Sequence, residues 1–152
     1  MKQFYIVAFF VVFFVSCTKK SQCNLIINTI DIYKIDNGNY RIPVTLVNKS
    51  KDSLRYLSWA CSWTEQYHIQ SKKFKIKQNV CFTNCPMILI IAPHQSKTVE
   101  IELIDNNPKR KSHDKIKIGF NFIETEIKNV NNEQLAEELK KENILWSKLI
   151  KL

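Results

Sequence analysis

Residues 35–48, IDNGNYRIPVTLVN, carry the sharpest local signal in the chain. Asn37-Gly38 supplies the two positive φ values of a type I′ turn, whose twist matches a pair of antiparallel strands. The residues that follow alternate. Tyr40, Ile42, Val44 and Leu46 fall on one face, with Arg41, Thr45 and Asn48 outward or at the end, the period of a half-buried strand. Pro43 has no amide donor, which predicts an edge position or a bulge there.

Upstream, residues 24–35 are apolar and rich in Ile, a strand by composition. Downstream, the polar turn NKSKDS separates the first hairpin from residues 54–63, a third strand dense in aromatics. Residues 64–70 and 73–78 read as two shorter strands, and 79–86 (NVCFTNCP) as a cysteine-bearing loop. The continuous apolar run 87–92 predicts a buried central strand. After the turn Pro93-His94-Gln95-Ser96, residues 98–104 alternate Val99, Ile101 and Leu103 with Thr98, Glu100 and Glu102. Beyond a basic loop, Ile116, Ile118, Phe120 and Phe122 share a face. Seven or eight short strands with turns every 8 to 12 residues predict an all-β sandwich. One segment breaks the pattern. Leu135 and Leu139 lie four apart, and Asn131 stands three before Gln134 as a cap, predicting one short helix over 132–143. A closing strand over 144–151 follows.

At the other end, residues 4–15 form an unbroken apolar run of 12 after Lys2. That is too short for a membrane span, which needs about 20 helical residues, and is the length of a signal-peptide core. The run ends Val15-Ser16-Cys17. Here the sequence resembles bacterial lipoproteins, with Phe14 where most such signals carry Leu. The resemblance implies cleavage after Ser16, diacylglycerol on the Cys17 sulfur and acylation of its new amino group. Two or three acyl chains hold a protein firmly, at about 0.8 kcal/mol per buried methylene. It implies three parts: a signal over 1–16, a lipidated tether over 17–23 and a single domain over 24–152. Thr18 follows Cys17 where an Asp would signal inner-membrane retention, and no acidic cluster follows it. The resemblance therefore implies the outer membrane, facing the periplasm.

Most of residues 24–127 also resembles the immunoglobulin-like and fibronectin-like domains of secreted proteins. The pieces LSWACSW, NVCFTNCP and IAPHQSKTVEI are similar to those of small bacterial lipoproteins of unassigned function. These likenesses imply the fold and the anchor, and no activity.

The chain carries a formal net charge of +9, or +8 without Lys2. The positive charges are scattered, and export argues against nucleic acid as a partner. Anionic lipid head groups, acidic glycans or an acidic envelope protein fit the compartment better. With Gly38 and Gly119 as its 2 glycines, the chain has no phosphate-cradling loop. Besides Cys17 there are four cysteines: Cys23, Cys61, Cys81 and Cys85. In an oxidising compartment an even count reads as disulfides, with three connectivities open. A Cys61–Cys81 bridge is favoured, since Cys61 ends one strand and Cys81 follows the next pair. It would contribute about 3 kcal/mol in the chain-entropy picture. Cys85 then pairs with Cys23 or stays free.

No constellation points to catalysis. Cys81 and Cys85 lack the second pair a zinc site needs, so no metal or other cofactor is expected. His68, His94 and His113 are far apart, and no cysteine or serine stands beside a base. Glu124 and Glu126 pair only by proximity. Two features remain as a binding surface. Trp59, Cys61 and Trp63 occupy alternate positions of the third strand, so the tryptophans either pack on a disulfide in the core or, with Tyr67, form an aromatic platform. Lys109, Arg110 and Lys111 form the densest positive run, either a solvated loop or a contact for phosphate groups. The sequence thus reads as a non-catalytic, lipid-anchored binding or scaffolding module. The alternatives are an inhibitor or immunity-type regulator of an envelope hydrolase, and a glycan-binding module.

Overall fold

A computed structural model describes residues 23–27, 32–35, 38–106, 115–126 and 131–152. The signal segment 1–16, Cys17, the basic run Lys109, Arg110 and Lys111, and His113 lie outside the described residues. The protein is all-β with one short helix. Its strands are β1 (Cys23–Ile27), β2 (Tyr33–Lys34), β3 (Tyr40–Asn48), β4 (Leu54–Trp59), β5 (Tyr67–Gln70), β6 (Phe74–Ile76), β7 (Pro86–Ile91), β8 (Ser96–Asp105), β9 (Lys115–Asn121), β10 (Ile144–Trp146) and β11 (Ile150–Lys151). The helix is α1 (Asn132–Glu138). The strands exceed the expected seven or eight because several predicted runs are broken into short pieces.

Three antiparallel ladders share one core. The largest runs β1-β3-β8-β6, with β2 also on β3; β9 collects β10, β11 and β5; β4 pairs with β7 and, on its other edge, bonds to residues 123–125. Ile42, Val44, Ile101 and Leu103 from the first, Ile116, Ile118 and Phe120 from the second, and Tyr56 and Ile91 from the third meet in one buried cluster. Tyr56 packs edge-on against Phe120 at 5.8 Å, and Tyr67 lies 4.8 Å from the same ring. These aromatic contacts join the ladders by geometry as well as by burial.

Gly38 holds φ 83°, and the other half of that turn, Asp36-Asn37, lies outside the described residues. Pro43 sits inside a sheet and not at its edge, because β3 has neighbours on both sides. Alternation explains why it is tolerated. The Thr45 and Thr98 hydroxyls bond at 2.9 Å, as side chains do in the close, non-hydrogen-bonded pairs of an antiparallel ladder. Pro43, opposite Glu100, has the same parity, so its nitrogen faces away from β8. On that side the register passes from β1 at Val44 to β2 at Arg41, and Pro43 falls in the gap.

The run 87–92 is not a central strand, for β7 pairs only with β4. It is apolar because each face meets a different cluster. Leu89 and Ile91 point into the main core. Ile88 packs with Leu57, Ile123, Leu135 and Leu139 beneath α1. The Asn131 side chain caps that helix, accepting from the Gln134 amide at 2.9 Å. The helix ends at Glu138, short of the expected Asn143. The closing strand is split in two by Ser147, whose amide donates to Ile118 O and whose hydroxyl accepts from Ile118 N. Gly119 makes this edge possible: a Cβ there would stand 2.6 Å from Ile144 Cγ2. Among the described residues no helix is long and apolar enough to cross a membrane.

Asn48, fully buried, bolts the β3–β8 sheet to the β4–β7 ladder. Its Nδ2 donates to Asp52 O (2.8 Å), Ile91 O (3.0 Å) and Ala92 O (3.1 Å), while Oδ1 accepts from the Ser50 amide and hydroxyl. Replacing Asn48 with Ala removes these bonds and strands the buried Ile91 carbonyl, and a loss of about 2–4 kcal/mol is expected in urea unfolding.

Candidate binding cleft

The third strand stops at Trp59, four residues earlier than its apolar pattern suggests. Residues 63–66 form a 3-10 turn, Trp63–Gln66, where a strand is expected from Thr64 onward. Trp59, Cys61 and Trp63 therefore do not share a strand face. Polar side chains hold the turn. Gln66 Nε2 donates to Leu57 O at 2.9 Å and Asn121 O at 3.2 Å, tying it to β4 and β9. Thr64 Oγ1 accepts from the Asn79 amide at 3.0 Å. Asn84 Oδ1 accepts from the Cys61 and Ser62 amides, each at 3.3 Å.

Cys61 and Cys81 form the favoured disulfide, with Cα atoms 6.0 Å apart. Among the described residues Cys85 is free and exposed. Cys23 begins β1, opposite Asn48, and its side chain lies outside the described residues. Tyr67 is 5% exposed and packs in the core, so it is not an open platform, yet with Trp63 it lines the apolar cleft described below. Trp63 is half-buried, edge-on to Tyr67 at 5.8 Å.

Trp63 nevertheless stands between two clefts. On one side is an apolar cleft of about 220 Å³, lined by Tyr56, Ser58, Trp63, Leu89, Val99 and Phe120, with Lys97 also on its wall. On the other is a polar cleft of about 170 Å³ among Arg41, Lys77, Glu100 and Glu102. Lys77 pairs with Glu102 at 3.0 Å, and the Tyr33 hydroxyl donates to Glu100 at 3.2 Å. The Arg41 guanidinium is held above its ordinary pKa, first by its hydrogen bond with Tyr33 and then by the nearby carboxylates. Ion pairs this exposed add little stability; their effect is to keep the polar wall in place.

Both clefts open along the same flank of β8. Lys77 N donates to Glu102 O at 2.8 Å, so Glu102 directs its backbone groups toward β6. Antiparallel alternation sends those of Glu100 and Thr98 the same way. The β6 ladder covers only Leu103–Asp105 of β8. Among the described residues nothing pairs with the N–H and C=O of Glu100 and Thr98 on that side.

Lys97, Arg41, Glu100 and Glu102 did not stand out as site residues in the sequence. For Lys97 a signal existed: it sits in the apolar phase of Val99, Ile101 and Leu103. Among the described residues there is no cluster of three or more His, Cys, Asp or Glu that could hold a metal ion. No protein-family model matches the chain, and a search of curated proteins finds no match.

Burial pushes the Tyr67 phenol well above the ordinary tyrosine range, with the nearby Tyr56 adding to the shift. The neutral phenol is thus the form the fold favours. Its contribution is intact below the unfolded value of about 10 and is lost as pH rises beyond it. Tyr67→Phe, which has no phenol to ionise, is expected to move the onset of alkaline unfolding to higher pH. The change is followed by near-ultraviolet circular dichroism.

Proposed function

We propose that this protein is a non-catalytic binding or scaffolding module. In this reading its domain is a β-sandwich of the immunoglobulin or fibronectin type, held in the cell envelope by lipid on Cys17. The observation that carries the compartment is the Cys61–Cys81 pair, at a spacing that a disulfide bridges without backbone movement. A disulfide of this kind belongs to an oxidising compartment. The apolar run ending in Val15-Ser16-Cys17 supports the same placement. By the lipoprotein resemblance, Thr18 after Cys17 supports sorting to the outer membrane, and the lack of an acidic cluster there supports the periplasmic face. The binding role draws support from the apolar cleft and from the exposed backbone along β8. Lys109, Arg110 and Lys111 would add attraction for an acidic partner or glycan, weakening as salt rises.

Replacing Cys17 with Ser is expected to move the protein from the membrane pellet to the soluble fraction of native cells. Retention in the pellet contradicts the anchor.

One observation favours a second reading, the inhibitor of an envelope hydrolase. Phe82 is completely exposed and Val80 86% exposed, on a loop pinned by the Cys61–Cys81 bridge and by Asn84. A rigid loop presenting an apolar tip can enter a cleft with its ordering cost already met. If this loop is the contact, Phe82→Ala lowers affinity for the hydrolase at least tenfold, measured by inhibition titration, and unchanged inhibition removes the reading.

A further inference from the structure

We infer that the free flank of β8, from Ser96 to Ile101, is a docking edge for an extended peptide segment of a partner protein, which adds to the sheet as an antiparallel strand. The inference rests on the binding-module reading above and names its surface and partner class.

Three features of this flank point to a strand. The first is backbone. Thr98 and Glu100 each turn one N–H and one C=O outward, and the chain that pairs with β8 at Leu103–Asp105 leaves it beyond Lys77. A row of unmet donors and acceptors at strand spacing is a template for another strand. The second is the pair of clefts. Side chains of an added strand alternate between faces, and strand-addition sites supply a pocket for alternate residues. The apolar cleft lies on the side of Lys97 and Val99, and the polar cleft beside Glu100 and Glu102, with Trp63 between them. The third is charge. Lys97 is half-buried on the wall of the apolar cleft and has no acidic partner among the described residues. Opposite charges placed across neighbouring strands attract.

These features specify the partner's chemistry. In an antiparallel strand, an apolar residue opposite Val99 enters the cleft against Leu89 and Phe120. The residue after it faces the other way, and the next one stands opposite Lys97. The segment therefore reads apolar, any residue, acidic, from N- to C-terminus. The N-terminal tether of this chain is a poor occupant, because β1 lies on the far side of β3 from this flank.

The test uses the full chain purified in detergent and the peptide acetyl-Ser-Thr-Leu-Thr-Glu-Thr-Ser-amide. Expected are saturable binding and slowed hydrogen exchange at the Thr98 and Glu100 amides. Affinity should fall at least tenfold when the two threonines flanking Leu are N-methylated, which removes their donors, and when the peptide Glu becomes Lys. Glu100→Pro removes a donor from the flank and should weaken binding to the same degree. Its nitrogen points away from β3, so the fold is expected to persist, and the N-methylated peptide tests the same bond on the unaltered protein. Absence of binding, unchanged exchange at both amides, or equal affinity for the N-methylated peptide overturns the inference. In cells, crosslinks from a partner that map to Val80 and Phe82 instead of β8 also overturn it while leaving the binding module standing. Recovery of no partner at all contradicts the module itself.

Discussion

The buried amide of Asn48 sets the distance between two sheets. It ends β3, yet its three donor contacts reach the turn at Asp52 and the end of β7 at Ile91 and Ala92. Buried polar groups are costly unless satisfied, and here one side chain satisfies several carbonyls at once. At the other end of the same ladder Gln66 does similar work, joining the 3-10 turn to β4 and β9. Held at both ends, the β4–β7 ladder stays apart from β8 along one side. The apolar cleft is the space left between them.

The open flank of β8 follows from where the chain goes after β6. Past Lys77, Asn79 is drawn to the Thr64 hydroxyl and Cys81 to Cys61. A chain committed to those partners cannot continue along β8, so the ladder stops after three residue pairs. The disulfide thus does two things. It pins the loop bearing Phe82, and it withdraws the segment that would otherwise cover Thr98 and Glu100. Among the described residues nothing covers this stretch, and the charged Lys97, Glu100 and Glu102 lie along it. Such residues discourage unselective edge pairing and leave room for a matched partner.

Much of the β pattern was legible because its signals are local. The alternation in β3, β8 and β9, the Asn131 cap and the cysteine spacing each depend on residues near in sequence. The failures came where tertiary context overrode the pattern. Residues 54–63 carry a long aromatic run, but side-chain bonds from Thr64 and Gln66 turn the chain after Trp59. Residues 87–91 look like a central strand because both faces are apolar, yet one of those faces is covered by α1 and not by a second sheet. For Tyr67 the sequence left core and platform open, since nothing in its neighbours reveals that Phe120 and Trp63 pack against it. Of the cleft, only Trp63 and Tyr67 were legible; the rest is assembled from β4, β7, β8, β9 and the 3-10 turn, far apart in sequence.

The most direct measurement is residue-level hydrogen exchange on the free protein, reading the four consecutive amides of Thr98, Val99, Glu100 and Ile101. Val99 and Ile101 point toward β3 and should exchange slowly. Thr98 and Glu100 should exchange orders of magnitude faster, because their hydrogens face open solvent. Equal protection at all four would mean that the flank is already paired and would contradict the account of an open docking edge.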